Sequence, residues 1–124
     1  MAGPAEGNRA VIAHTHTSNG WAVLSVLSET VDSNNVAPFK ACLLPHLTRG
    51  AKLVLDLSQV EFMDSSALGA LLSTMRSLES SAGAMRLVSL TPPVRTLFTL
   101  VRLDLVFDIM NSPIEATAQS ATEA

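Results

Sequence analysis

The apolar run KLVLDL at 52–57 is followed by Leu68, Leu71, Leu72, Met75 and Leu78, and then by a second run, MRLVSL, at 85–90. A short continuous apolar run reads as a strand covered on both faces; an apolar stripe recurring at three and four reads as a helix lying on a sheet. Strand, helix and strand in that order form a crossover unit. It commits the chain to a partly parallel sheet with right-handed connections. Arg76 and Glu79 are spaced for the wet face of the helix, and Gly83 ends the unit.

The flanks extend this pattern. Ala10–Ala13 and Trp21–Val26 are rich in β-branched residues and surround THTSNG, whose Asn19-Gly20 pair is a strong hairpin signal. Two antiparallel strands are expected near 10–17 and 21–27. After the polar break SETVDSNN, Asn34 or Asn35 is placed to cap a helix carrying Val36, Phe39, Leu43, Leu44 and Leu47 and ending near Gly50, with Pro45 bending or shortening it. Thr91-Pro92-Pro93 starts a further helix with Val94, Leu97, Phe98 and Val101 as its apolar face. Leu103–Ile109 reads as a last strand, and Ser112-Pro113 opens a short final helix containing Ile114. The expected fold is α/β: a mixed sheet of four to five strands with an N-terminal antiparallel hairpin and four to five helices. Residues 1–9 are expected to be a flexible N-terminus, 10–116 the domain and 117–124 a disordered tail.

Composition narrows the function. With 124 residues, 48% hydrophobic and 15% charged, the chain has material for one modest core. Eight basic residues against 11 acidic ones leave a net charge of -3, so there is no basic footprint for direct nucleic-acid binding. No apolar run approaches the roughly 18 residues needed to span a bilayer, and the N-terminus lacks the features of a secretory signal. No membrane insertion and a cytoplasmic location are expected. Cys42, the one cysteine, lies in an apolar-leaning stretch and reads as a buried thiol.

Recognisable catalytic pieces are missing: there is no phosphate-binding GxxxxGK[ST] loop, no GxGxxG, no CxxC, no HExxH and no GxSxG elbow. His14 and His16 alternate on one strand and read as solvent-facing or edge side chains, while His46 is distant in sequence. No catalytic residue, cofactor site or metal site is expected, and the chain is not expected to be an enzyme. In VLDLSQVEFMDSSALGALL, Asp64, Ser65 and Ser66 fall where the helix after the first buried strand begins. Asp64 or Ser65 is positioned to accept hydrogen bonds from its unpaired first-turn amides. A serine there also sits where helix-terminal amides and the macrodipole favour added negative charge, such as a phosphate.

That stretch, followed by AGAMRLVSLTPPVRTLFTLVRLDLVFDI, resembles the STAS domain of bacterial anti-sigma factor antagonists, from about Ala10 to Ala116. The resemblance implies a non-catalytic switch. Its unphosphorylated form binds an anti-sigma factor with serine kinase activity and releases a sigma factor; phosphorylation ends the binding, and a serine phosphatase resets it. It implies Ser65 as the phosphate acceptor, Ser66 as its hydroxyl-bearing neighbour and Asp64 as the acid beside it. The family's acidic Gly-Glu-Leu-Asp loop corresponds to SETVDSNN, where Glu29 and Asp32 are present, Ser28 stands at the glycine position and one extra residue separates the acids. Ala67 replaces a glycine common after the serine pair, and Arg102 replaces a second one. Glu29, Asp32, Met63, Asp64, Ser65, Ser66 and Ala67 are thus the expected partner-binding residues. Leu68, Leu71, Leu72 and Met75 are expected to pack inward. The alternative is a STAS adaptor used without phosphorylation in a transport or signalling complex.

Overall fold

The computed structural model describes residues 11–118. The hairpin strands are β1 (Ile12–Ser18) and β2 (Trp21–Val26), paired antiparallel with Ile12 opposite Val26 and Ser18 opposite Trp21. Asn19 and Gly20 both have positive φ, 51° and 86°, as a two-residue turn of this hand requires. A short β3 (Thr30–Val31) precedes α1 (Val36–Leu43), which tightens into a 3-10 turn at Leu44–His46 where Pro45 ends the regular helix. Then come β4 (Lys52–Asp56), β5 (Phe62–Met63), α2 (Ser65–Ser80), β6 (Ala84–Val88) and α3 (Pro92–Leu100). The last elements are β7 (Asp108–Met110) and α4 (Pro113–Thr117).

The main sheet has the order β1-β2-β4-β6-β7; every pairing after the hairpin is parallel. Each parallel connection carries one helix, and α1, α2 and α3 all contribute to one core. Phe39 and Leu43, Leu71 and Leu78, and Val94 and Phe98 meet Leu24, Leu53, Leu55 and Leu87 of the sheet. Each such fully buried apolar side chain contributes about 1.5–3 kcal/mol. The opposite face carries Trp21, Val23, Val54 and Val88 and is closed by Ala116 of α4. The buried strands are therefore covered on both sides.

Gly83 marks a close backbone approach. Its amide donates to the Leu78 carbonyl at 2.7 Å, ending α2, and a Cβ at this position would collide with the Ala51 carbonyl. The Ala84 amide donates to that same carbonyl at 2.9 Å, which starts β6 beside β4.

Several expectations need correction. Leu103–Ile109 is not one strand: Arg102 has φ 64°, residues Leu103–Leu105 form a 3-10 turn, and only Asp108–Met110 pairs with β6. Leu105 and Val106 are exposed, so this apolar run lacks the two covered faces of a buried strand. SETVDSNN is not merely a break, because it contains β3, which pairs with β5 in a separate two-stranded sheet. Thr117, expected to begin the tail, is buried at the end of α4, where the Asn19 side chain donates to its carbonyl at 2.6 Å. Cys42 is half-buried against the core rather than fully buried. The expected flexible 1–9 segment, and the tail beyond Ala118, lie outside the described residues.

Candidate functional site

Two segments with the same local pattern, Glu-Thr-Val-Asp at 29–32 and Glu-Phe-Met-Asp at 61–64, lie side by side. β3 and β5 run parallel, with Thr30 opposite Phe62 and Val31 opposite Met63. The inward residues are apolar: Val31 is fully buried and Met63 is 3% exposed. The Glu29 carbonyl accepts from both the Glu61 amide at 2.7 Å and the Phe62 amide at 3.1 Å, and the Asp64 amide reaches the Val31 carbonyl at 3.3 Å. From the other side the Thr91 hydroxyl, expected at a helix start, donates to the Val60 carbonyl at 2.6 Å. It ties the beginning of α3 to the residue before this segment.

Asp64 occupies the N-cap of α2 in extended conformation, φ -104° and ψ -175°. Its Oδ1 accepts the Ala67 amide at 3.1 Å and its Oδ2 accepts the Ser33 amide at 3.0 Å. One carboxylate thus caps the helix and fastens the 30–35 loop to it. The loop is braced from within: the Asn35 side chain accepts from the Asp32 amide at 2.8 Å and donates to the Thr30 carbonyl at 2.7 Å and to Ser28 Oγ at 3.2 Å. Asp32 Oδ1 accepts the Asn34 amide at 2.9 Å. Asn35 therefore sits at the N-cap of α1 without capping it, because its side chain is spent on the loop.

The sequence left open whether Asp64 or Ser65 caps α2, and the geometry selects Asp64. Ser65, the first helical residue, is exposed, and among the described residues its hydroxyl makes no hydrogen bond. Ser66 is half-buried. Glu29 is exposed, and Asp32 and Asp64 are half-buried, so the acids and the serine pair share one region. Met63 and Ala67, expected among the partner-binding residues, are 3% and 0% exposed. Their side chains complete the core because β5 alternates inward at Met63 and the first turn of α2 packs onto the sheet. Both side chains face the core and not the surface, contrary to the exposed docking role expected of them. Leu71 and Met75 are buried and Leu68 and Leu72 pack partly buried against the same core, in keeping with the inward stripe.

The exposed residue missed from the sequence is Phe62, which leaves 54% of its surface in solvent. Two-residue strands are too short for periodicity to reveal which face each residue takes; the paired Glu-X-apolar-Asp pattern was the available signal.

The histidines form no shared site on β1. An irregularity between His14 and His16 sets His14 opposite Leu24 and His16 opposite Val23, adjacent residues of β2 whose side chains leave opposite faces. His14 instead faces His46 across the sheet edge, ring centroids 5.9 Å apart. Among the described residues no group of three or more His, Cys, Asp or Glu is arranged to hold a metal ion. No described helix is long and apolar enough to cross a membrane.

Fold and site together define a small, partly parallel α/β domain that displays a free serine at a helix start, beside an ordered acidic loop. The STAS domain family model matches residues 13–121, and the chain belongs to that family. A Thermotoga maritima protein provisionally named an anti-sigma factor antagonist is 37% identical over 65 residues, 52% of this chain and 58% of that protein. The match thus spans a little over half of the relative's length. The crystal structure of an anti-sigma factor antagonist from Mycobacterium paratuberculosis superposes with a TM-score of 0.72 at 26% identity, covering 87% of this chain and 92% of that one. The phosphorylated form of the Bacillus cell fate determinant SpoIIAA superposes with a TM-score of 0.63 at 24% identity, over 84% and 93% of the two chains. At that identity the likeness to SpoIIAA is one of fold.

Proposed function

We propose that the chain is a phosphorylation-controlled anti-sigma factor antagonist, a binding switch and not a catalyst. Unphosphorylated, it binds an anti-sigma factor with serine kinase activity and so releases a sigma factor; phosphorylated on Ser65, it lets go, and a serine phosphatase restores it. The observation that carries this reading is the division of labour at the start of α2. Asp64 caps the helix through Ala67, so Ser65 is left exposed with an uncommitted hydroxyl.

In the transfer step Ser65 Oγ forms a bond to the γ-phosphorus of ATP held by the kinase, the bond from that phosphorus to the β,γ-bridging oxygen breaks, and ADP leaves. A base of the kinase accepts the hydroxyl proton. The product carries about 1.5 to 2 added negative charges at a helix N-terminus, where free amides and the macrodipole favour them. The helix survives. The partner surface changes, because a docked partner must now desolvate a phosphate beside the Asp64 carboxylate.

The test is incubation with the anti-sigma kinase and ATP, followed by mass spectrometry. One phosphate on Ser65, lost in Ser65→Ala and kept in Ser66→Ala, is the expected result; Ser65→Asp should fold normally and bind the partner weakly. An unmodified Ser65, with the same kinase active on another antagonist, overturns the reading in favour of an unphosphorylated adaptor.

A further inference from the structure

We infer that Phe62 is the apolar anchor of the partner-binding surface, and that the anti-sigma factor meets it with an apolar pocket rimmed by basic side chains; this rests on the function proposed above. Phe62 is the large aromatic side chain left 54% exposed in the segment that leads into Ser65. Its backbone is fixed: its amide is held by the Glu29 carbonyl at 3.1 Å, it pairs with Thr30 on β3, and the neighbouring Met63 is locked in the core. An aromatic ring presented on fixed backbone loses little conformational freedom on docking, which is the property of residues that dominate interface energies.

The charge around it identifies the kind of surface that covers it. Glu29 and Glu61 precede the paired residues, joined by the Glu61 amide on the Glu29 carbonyl, and Asp32 and Asp64 follow them directly in the two segments. Like charges gathered in one region repel one another unless counter-charges offset them. Among the described residues none of these four carboxylates is in an ion pair; the one ion pair found there, Arg86 with Asp108, lies on the main sheet. Four carboxylates without an ion-pair partner thus lie within two residues of Phe62 or of Thr30, the residue it pairs with. That pattern is complementary to arginines or lysines around an apolar hollow, and it repels a second copy of this same surface.

The test is a titration of the full chain with the candidate anti-sigma kinase, shown to be active on another antagonist, read by calorimetry at low and high salt. Phe62→Ala should weaken binding by about 30-fold. Phe62→Leu, which keeps an apolar side chain on β5, should lose several-fold while melting at the wild-type temperature. Glu61→Lys should weaken binding about tenfold at low salt and much less at high salt. If the wild type binds and Phe62→Ala binds within about twofold of it, the anchor is overturned and the functional reading stands. If the wild type neither binds nor is phosphorylated, the functional reading itself fails, and the anchor with it. A wild-type dimer that Phe62→Ala converts to monomer in sedimentation would make a second copy the occupant and overturn the proposal.

Discussion

Asp64 holds the Ser33 amide at 3.0 Å with one carboxylate oxygen while the other caps α2 through Ala67 at 3.1 Å. Removing the carboxylate should therefore be felt in two places. Asp64→Ala is expected to cost about 1–3 kcal/mol, the sum of a lost cap and a lost loop bond. Asp64→Asn has one acceptor oxygen, keeps one of the two bonds and should cost about half as much. Urea denaturation gives the energies, and amide exchange locates them. Both amides should exchange faster in the alanine variant and one of them in the asparagine variant; unchanged Ser33 exchange in Asp64→Ala would refute the bridge.

Gly83 is required by space. An alanine methyl there meets the Ala51 and Leu78 carbonyls, both of which already accept hydrogen bonds that end α2 and start β6. Backbone atoms cannot swing aside as a side chain does, so Gly83→Ala should lose about 1–3 kcal/mol. Gly69, by contrast, lies inside α2 with open space, nothing within 4 Å, where an alanine methyl would stand, so Gly69→Ala should gain about 0.5–1 kcal/mol. Opposite signs in paired chemical melts would support the assignment; equal losses would count against it.

The elements that were legible in the sequence are those with enough length to show a period. The β4–α2–β6 unit and the Asn19-Gly20 turn lie close to where the apolar stripe and turn chemistry put them. Three features were not legible, each for a physical reason. β3 and β5 have two residues apiece and exist through pairing with each other, a long-range relation that no local window contains. The run from Leu103 is apolar enough for a strand, but Arg102 takes a left-handed turn before it and the chain coils once before joining β6. At the site, Asp64, Ser65 and Ser66 were visible as a helix start; the inward turn of Met63 and the outward turn of Phe62 depended on the β3 partner.

Arg102 supplies a further test. Its φ of 64° is a conformation in which Cβ crowds the following carbonyl, at a cost glycine does not bear. Arg102→Gly should stabilise the domain by up to about 1 kcal/mol, since the strain relieved is partly offset by the greater freedom of glycine in the unfolded chain. The change is read from the urea midpoint. A loss of stability would show that the arginine side chain makes a compensating contribution.

Arg86 joins three elements on the sheet face opposite α1–α3. Its guanidinium lies 4.2 Å from the Trp21 ring centroid, Nε donates to Asp108 Oδ2 at 3.0 Å, and Nη1 donates to the Ala116 carbonyl at 2.5 Å. A lysine offers a point charge without the planar fork, so Arg86→Lys should retain little of this arrangement. Arg86→Ala is expected to lose about 2 kcal/mol through the stacked ring and the bond to α4. Asp108→Asn should lose under about 1 kcal/mol, because that carboxylate is 53% exposed and its pairing is screened. Trp21 is the only tryptophan, so its fluorescence reports this face directly. The Arg86 variants should shift its emission and expose the Pro113–Thr117 helix to protease before the global transition, whereas Asp108→Asn should do neither; equal effects from Asp108→Asn would assign the latch to the ion pair instead of the stack and the carbonyl bond.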